Sequence, residues 1–313
     1  MLECLAATCA EFTGRGSVLA QRVPQLIKYI GNKTKFSEKI ASTFPSDYDC
    51  YFEPFLGSGA LLGALKPHRS VAVDAHRPLI EMWDLAKNDP HKLLESYTEN
   101  WNEYSKSDEA KKTVYKRVVD SYNSGPNPLD FLFISRTCYG GVLRYRKADG
   151  ALSTPVGAHK AIPPAAFEKR LRIWHALIQQ TTFICGDFSE ISNMVTSDSI
   201  VYCDPPYIDT QKILYGAQAF SVDRLVLEIE RWKEVGSFVA LSIDGTKKSG
   251  SVTVDFENRD ELFEEVVAIE LGGSMLKRFQ LRDQSTTDHR VTDRLLLTRK
   301  SGEREVEQQL LAV

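Results

Sequence analysis

Seven short apolar runs constrain the fold of this 313-residue chain more than any other feature of it. They lie at residues 48–55, 70–75, 181–188, 199–207, 236–244, 264–271 and 293–300. Most are continuous rather than alternating, the pattern of strands covered on both faces. Helical patterns lie between several of them. Residues 24–44 read as a helix interrupted at Gly31 and Asn32, and residues 78–89 as a helix after the second run. A third opens on a Ser221 cap and repeats apolar side chains at Leu225, Val226, Ile229 and Trp232. Strand–helix alternation of this kind predicts an α/β fold with an open, Rossmann-like, mostly parallel sheet.

One stretch breaks the alternation. Between Asp74 and the third run lie about a hundred residues that read mostly helical, too long for a connection. They predict an inserted helical subdomain over residues 81–175. The sheet domain is then residues 24–80 with 176–300, preceded by an extension (1–23) and followed by a tail (301–313). The net charge of −3 hides a segregation. Residues 111–172 carry 12 Lys or Arg against 4 acids, a net of +8, leaving −11 for the rest. That suits a local anionic partner, or a solvated basic face. Within this segment Val142 to Arg146, a turn through Ala148-Asp149-Gly150, and a return arm have a hairpin signature. Its first arm carries Arg144, Arg146 and Lys147, and a basic β-ribbon can enter a DNA major groove.

Several classes are disfavoured. No run approaches the 18 or so apolar residues of a membrane span, and residues 1–16 lack the basic and apolar regions of a secretory signal. The six cysteines (Cys4, Cys9, Cys50, Cys138, Cys185, Cys203) form no C-x-x-C pair and have no histidine cluster, so no metal site is expected. Cys50, Cys185 and Cys203 sit in strand-like runs, where a buried, reduced thiol is the ordinary reading and a cytoplasmic setting fits.

Three places carry chemistry. In "FEPFLGSGALLG" a strand runs into Gly57 and Gly59 and then a helix, where a ligand can approach the backbone closely. A structural tight turn would use the same glycines, and the third glycine of a dinucleotide fingerprint falls one place late, at Gly63. Asp74 ends the next strand, where an acid binds ribose hydroxyls, so an adenosine-containing ligand is expected. In "CGDF", Asp187 and Phe188 are placed to hold an adenine, or Asp187 simply caps the following helix. In "DPPY", Asp204 ends a strand beside Pro205, Pro206 and Tyr207. A carboxylate and a proline carbonyl can both accept from an amine, and a ring can stack on a flat base. These parts suit methylation of the exocyclic amine of a base taken out of the helix.

Together "KYIGNK", "FEPFLGSG", "VDAH", "GDF" and "DPPY" resemble an α-class N6-adenine DNA methyltransferase of the Dam-like group, over roughly residues 25–300. The resemblance implies an S-adenosylmethionine-dependent methyltransferase fold with a target-recognition insert, acting on double-stranded DNA, with or without a cognate restriction endonuclease. It implies that Tyr29, Gly31 and Lys33 meet the methionine end of S-adenosyl-L-methionine. Glu53, Phe55, Gly57 and Gly59 would wrap the cofactor, Asp74 would hold its ribose, and Asp187 and Phe188 its adenine. Asp204 and the Pro205 carbonyl would accept from the target amine, and Tyr207 would stack on the flipped adenine. "RTCYGGVLRYR" resembles the family's DNA-reading hairpin, making Tyr139, Arg144, Arg146 and Lys147 the expected DNA contacts. Arg144 would meet a guanine edge, or a phosphate. The family's GATC enzymes carry Tyr-Asn-Gly here; this chain has Tyr139-Gly140-Gly141 and lacks the asparagine amide. The same chemistry on cytosine N4, on RNA or on a protein amide, a DNA-binding relative without turnover, and a nicotinamide oxidoreductase are the alternatives.

Overall fold

In the computed structural model, residues 22–29, 31–206, 220–244, 262–272 and 291–299 are described. Four neighbouring parallel strands form one side of the sheet: β1 (Cys50–Glu53), β2 (Ser70–Asp74), β3 (Thr181–Cys185) and β4 (Ser199–Cys203). β5 (Phe238–Asp244) extends them in parallel, and β7 (Val291–Leu297) pairs antiparallel with both β5 and β6 (Glu265–Gly272). The order across the sheet is β3-β2-β1-β4-β5-β7-β6. The chain moves outward from β1 through β2 to β3, then returns to start β4 on the other side of β1. That reversal is the switch point of a doubly wound sheet, and ligands bind in the crevice beyond the strand ends there.

β1, β4, β5 and β7 feed two cores, which is why their runs are apolar on both faces. Tyr51, Ile200, Tyr202, Phe238, Ala240, Leu295 and Leu297 pack on one face. Phe52, Val201, Cys203, Val239, Leu241 and Leu296 pack on the other, under Leu225, Val226, Ile229 and Trp232. Those four come from α8 (Val222–Glu234), whose Ser221 side chain accepts from the Arg224 amide as its cap.

On the first face α1 (Ser37–Ala41), α2 (Ala60–Leu65) and α3 (Arg77–Asn88) are followed by four helices from the long stretch. These are α4 (Pro90–Tyr104), α5 (Asp108–Ser124), α6 (Pro128–Thr137) and α7 (Pro164–Leu177). Asp89, Ser107 and Asn127 cap α4, α5 and α6 with their side chains. Phe131, Phe133, Phe167, Trp174 and Tyr97 of these helices join the same core as the sheet.

Two expectations are corrected. Among the described residues of 24–44 there is no long helix, only the five residues of α1. The carbonyls of the segment before it are taken by side chains from afar: Trp174 Nε1 on Pro24 O (2.8 Å), Arg170 Nη1 on Gln25 O (2.8 Å), and Arg136 on Gln25 and Leu26. Helical amides are not needed to satisfy them. Cys185 is exposed rather than buried, while Cys50 and Cys203 are buried as expected, and Cys138 is buried too. The hairpin exists in reduced form: two isolated antiparallel bridges, Cys138 with Val156 and Tyr145 with Leu152, in place of a continuous ladder.

Candidate active site

The C-terminal ends of β1, β2 and β4 and the turn after β3 converge on one cavity. Its wall includes Tyr29, Gly31, Lys33, Glu53, Phe55, Gly57, Asp74, Asp187, Phe188, Asp204, Pro205 and Pro206. All are positions singled out in the sequence, brought together from five separate segments. Gly59 does not line it. Gly59 caps α2 at φ 65° and backs onto Trp83 and Trp174, so its service is to the turn and the packing. Tyr207 lies outside the described residues.

Lys33 is 6% exposed, and its Nζ lies 3.1 Å from Asp204 Oδ1. Burial raises the Asp204 carboxyl above the usual carboxylate range, and the Lys33 ammonium opposes that rise. Oδ1 faces the lysine, so Oδ2 is the oxygen left for a ligand. Glu53 forms the floor. Its Oε2 accepts from Tyr51 Oη (3.0 Å) and from the Leu62 amide (3.2 Å) at the start of α2. Burial pushes its carboxyl up to about 8, with both hydrogen bonds pulling the other way.

Asp74 holds the glycine loop in place. Its Oδ2 accepts from the Gly57 amide (3.0 Å) and its Oδ1 from the His76 amide (2.9 Å). Each oxygen keeps a lone pair for a second donor. Asp187 caps the 3₁₀ turn after β3, accepting from Ser189, and pairs with Arg224 of α8 at 2.8 Å. Partial burial works against its charge, but the Ser189 and Arg224 contacts outweigh it and hold the carboxyl below the usual range.

The cavity also contains residues that the sequence did not reveal. Phe220 stands 5.8 Å from the Phe55 ring and 6.0 Å from the Phe188 ring, making a three-ring wall. Its only local signal is that it precedes the Ser221 cap. Asn32 is in the wall with its Oδ1 accepting from the Thr34 amide (2.7 Å), which orients the side chain. Its Nδ2 is buried with no acceptor. The expected DNA contacts stand elsewhere. Tyr139, Arg144, Arg146 and Lys147 are exposed on the hairpin, and Arg146 pairs with Asp149 at 2.6 Å across the turn. Among the described residues no helix is long and apolar enough to cross a membrane, and no three or more His, Cys, Asp or Glu side chains are placed so that they could hold a metal ion.

The family described as D12 class N6 adenine-specific DNA methyltransferase matches residues 29–256 of the chain. The Type II methyltransferase M.MjaIII of Methanocaldococcus jannaschii is 31% identical over 202 residues, which is 59% of this chain and 69% of that protein. The DNA adenine methylase of Haemophilus influenzae is 28% identical over 193 residues, 59% of this chain and 64% of its own. The Type II methyltransferase M1.LlaDCHI of Lactococcus lactis subsp. cremoris is 26% identical over 241 residues, 73% of this chain and 84% of its own. Against the DNA adenine methylases, then, the chain spans a little under two thirds of the relative's length.

Proposed function

The chain belongs to the D12 class N6 adenine-specific DNA methyltransferases, and from that premise we propose that it methylates the N6 amine of an adenine turned out of duplex DNA, with S-adenosyl-L-methionine as donor. The observation that carries this reading is the placement of Asp204 and Pro205 at the end of β4, on the same cavity as Asp74, Glu53 and the Gly57 loop.

The residues present fit the donor. The unpaired Nδ2 of Asn32 is a buried amide donor suited to a carboxylate. The second lone pairs of Asp74 suit ribose hydroxyls, and the Phe55, Phe188 and Phe220 rings suit a purine face. With Asp187 already committed to Ser189 and Arg224, purine recognition rests more on the rings than on that carboxylate. Bound here, S-adenosylmethionine supplies an electrophilic methyl group on its sulfonium.

The chain's own work is done on the amine. Asp204 Oδ2 and the Pro205 carbonyl accept its two hydrogens, which draws the nitrogen lone pair out of conjugation with the ring and aims it. Lys33 keeps Asp204 anionic while this happens. Tyr207 is the expected stacking face for the flipped base. Arg144 is the expected reader of a base edge on the same DNA.

The test is transfer of tritiated methyl to duplex DNA, followed by digestion to nucleosides. Wild type should place label in N6-methyladenine, and Asp204→Ala should lose about 100-fold or more in rate. Label in N4-methylcytosine would reassign the base. An Asp204→Ala enzyme as fast as wild type would sink the site.

A further inference from the structure

The basic arm of the hairpin is tied to its return arm by two isolated bridges and by a few hydrogen bonds, among them the Arg144 amide to Thr154 Oγ1 at 2.8 Å, the Ser153 amide to Arg144 O at 2.9 Å and the Arg146 amide to Ala151 O at 2.9 Å. These fix one arm against the other. A two-stranded ribbon by itself is marginal in water, so where the ribbon stands on the protein is set by what it rests on. Tyr145 lies between the exposed Arg144 and Arg146 but is itself half-buried. Its hydroxyl lies 3.0 Å from His76 Nε2 and 3.1 Å from the Tyr122 hydroxyl, and Tyr122 lies 3.2 Å from the same His76 nitrogen. The three groups close a triangle of polar contacts. The return arm is held by the next residue of α5. Asn123 Nδ2 donates to Leu152 O at 3.1 Å, and the Leu152 amide donates to Asn123 Oδ1 at 2.7 Å. The last turn of α5 thus grips both arms, one through Tyr122 and one through Asn123.

The third corner belongs to the cavity. His76 lines it, and its amide donates to Asp74 Oδ1. Its ring packs edge-on against Phe131 of α6, with centroids 5.1 Å apart. Burial lowers the His76 ring to about 4, so near neutral pH it acts as an uncharged hydrogen-bond partner.

We propose that His76, Tyr122, Asn123 and Tyr145 are positioning residues for base selection, indexing the Arg144 arm to the Asp74–Asp204 cavity so that the base read and the adenine methylated stay a fixed number of base pairs apart. This rests on the DNA-methylation reading. It assigns sequence discrimination to side chains that touch no DNA, acting through the pose of one that does. Pre-locked supporting side chains are what hold such a constellation to the fraction of an ångström it requires. A loosened arm loses the preferred site's contact while gaining nothing against near-miss sites, so the two rates approach each other.

The experiment uses the full chain, plasmid DNA and labelled S-adenosylmethionine, with methylated positions read by sequencing. For wild type, Tyr145→Phe and Asn123→Ala, the ratio of kcat/KM at the most-used site to that at its single-base neighbours is measured per folded molecule. Cofactor affinity without DNA is measured by calorimetry. Tyr145→Phe keeps the ring and removes only the hydroxyl, so it should fold. The expected result is a discrimination ratio lower by about tenfold in both variants, on the scale of one good side-chain–base contact, with cofactor affinity as in wild type. A merely structural role would lower the folded fraction and leave the ratio alone, and that result in both variants overturns the proposal. Absence of methyl transfer to DNA by wild type overturns the methylation reading along with it; transfer with an unaltered ratio overturns only the positioning.

Discussion

Asp204 has to remain charged in a place that disfavours charge. Burial raises its carboxyl, and Lys33, 3.1 Å away, is the group that opposes the rise. Lys33→Gln keeps most of the length and removes the ammonium, so the carboxyl moves higher. At neutral pH a smaller fraction is then ionised and kcat should fall, by about tenfold per unit of displacement wherever the carboxyl's pKa lies above the working pH. The deficit should shrink as pH rises, moving the acid limb of the kcat profile to higher pH; a uniform loss at every pH would contradict this role for Lys33. Glu53 gives a second prediction, in stability. Its folded value of about 8 lies above the ordinary 4.5, so the fold favours the protonated form. That contribution is complete below pH 4.5 and is lost as pH climbs through about 8. The Tm of the protein without cofactor should fall across that window, and Glu53→Gln should fall less steeply. Asp74 and Asp204 are also raised, so the slope should flatten without vanishing. At this scale the shared position of Asp204, Pro205 and Pro206 on the cavity was legible because the three are contiguous. The Lys33–Asp204 pair and Phe220 were not, since each depends on which strand end folds beside which.

Among elements, α2 contains a glycine for which the sequence offered no role. The third glycine of a dinucleotide fingerprint falls one place late, at Gly63, and a Cβ there would meet Trp174 Cη2 at 2.8 Å. Gly63 is therefore a packing glycine, letting α7's Trp174 seat against α2 and cross Trp83 edge-on at 4.8 Å. Ala is the better helix former by about 1 kcal/mol, yet Gly63→Ala should destabilise by about 1–3 kcal/mol, because the obstacle is a rigid buried ring. A chemical-denaturation midpoint at or above wild type would refute that. The strands were legible as elements because burial on both faces writes a continuous apolar run. The expected helix over residues 24–44 failed because side chains of α6 and α7 take the carbonyls of residues 24–26. α6 was hard to see for the opposite reason: seven of its ten residues are buried, so it shows no polar face to give a helical period.

Over the whole molecule, charge and packing are organised differently. The positive segment collects on the helices and hairpin beyond α3, leaving the remainder acidic. Lys112 is exposed on α5, and Lys112→Ala should weaken every DNA sequence about equally. It should also reduce the salt slope by about one charge's worth, about 0.9; a change in sequence preference instead would mean that Lys112 reads bases. Packing shows no such border. One apolar core runs from the sheet through α3 and α4 to α7. The break in strand–helix alternation was legible, but the shared core was not, because apolar positions in a helix do not say which neighbour they face.

The clasp on residues 24–26 has a consequence in time. Its donors are supplied by Arg136, Arg170 and Trp174, separated from their acceptors by 110 to 150 positions. On a ribosome adding about 5–20 residues per second, the segment that ends in Tyr29 emerges well before its partners and waits many seconds for them. One wall of the cavity is therefore synthesised long before the side chains that fasten it, and the nascent chain cannot complete the pocket until α7 has cleared the exit tunnel.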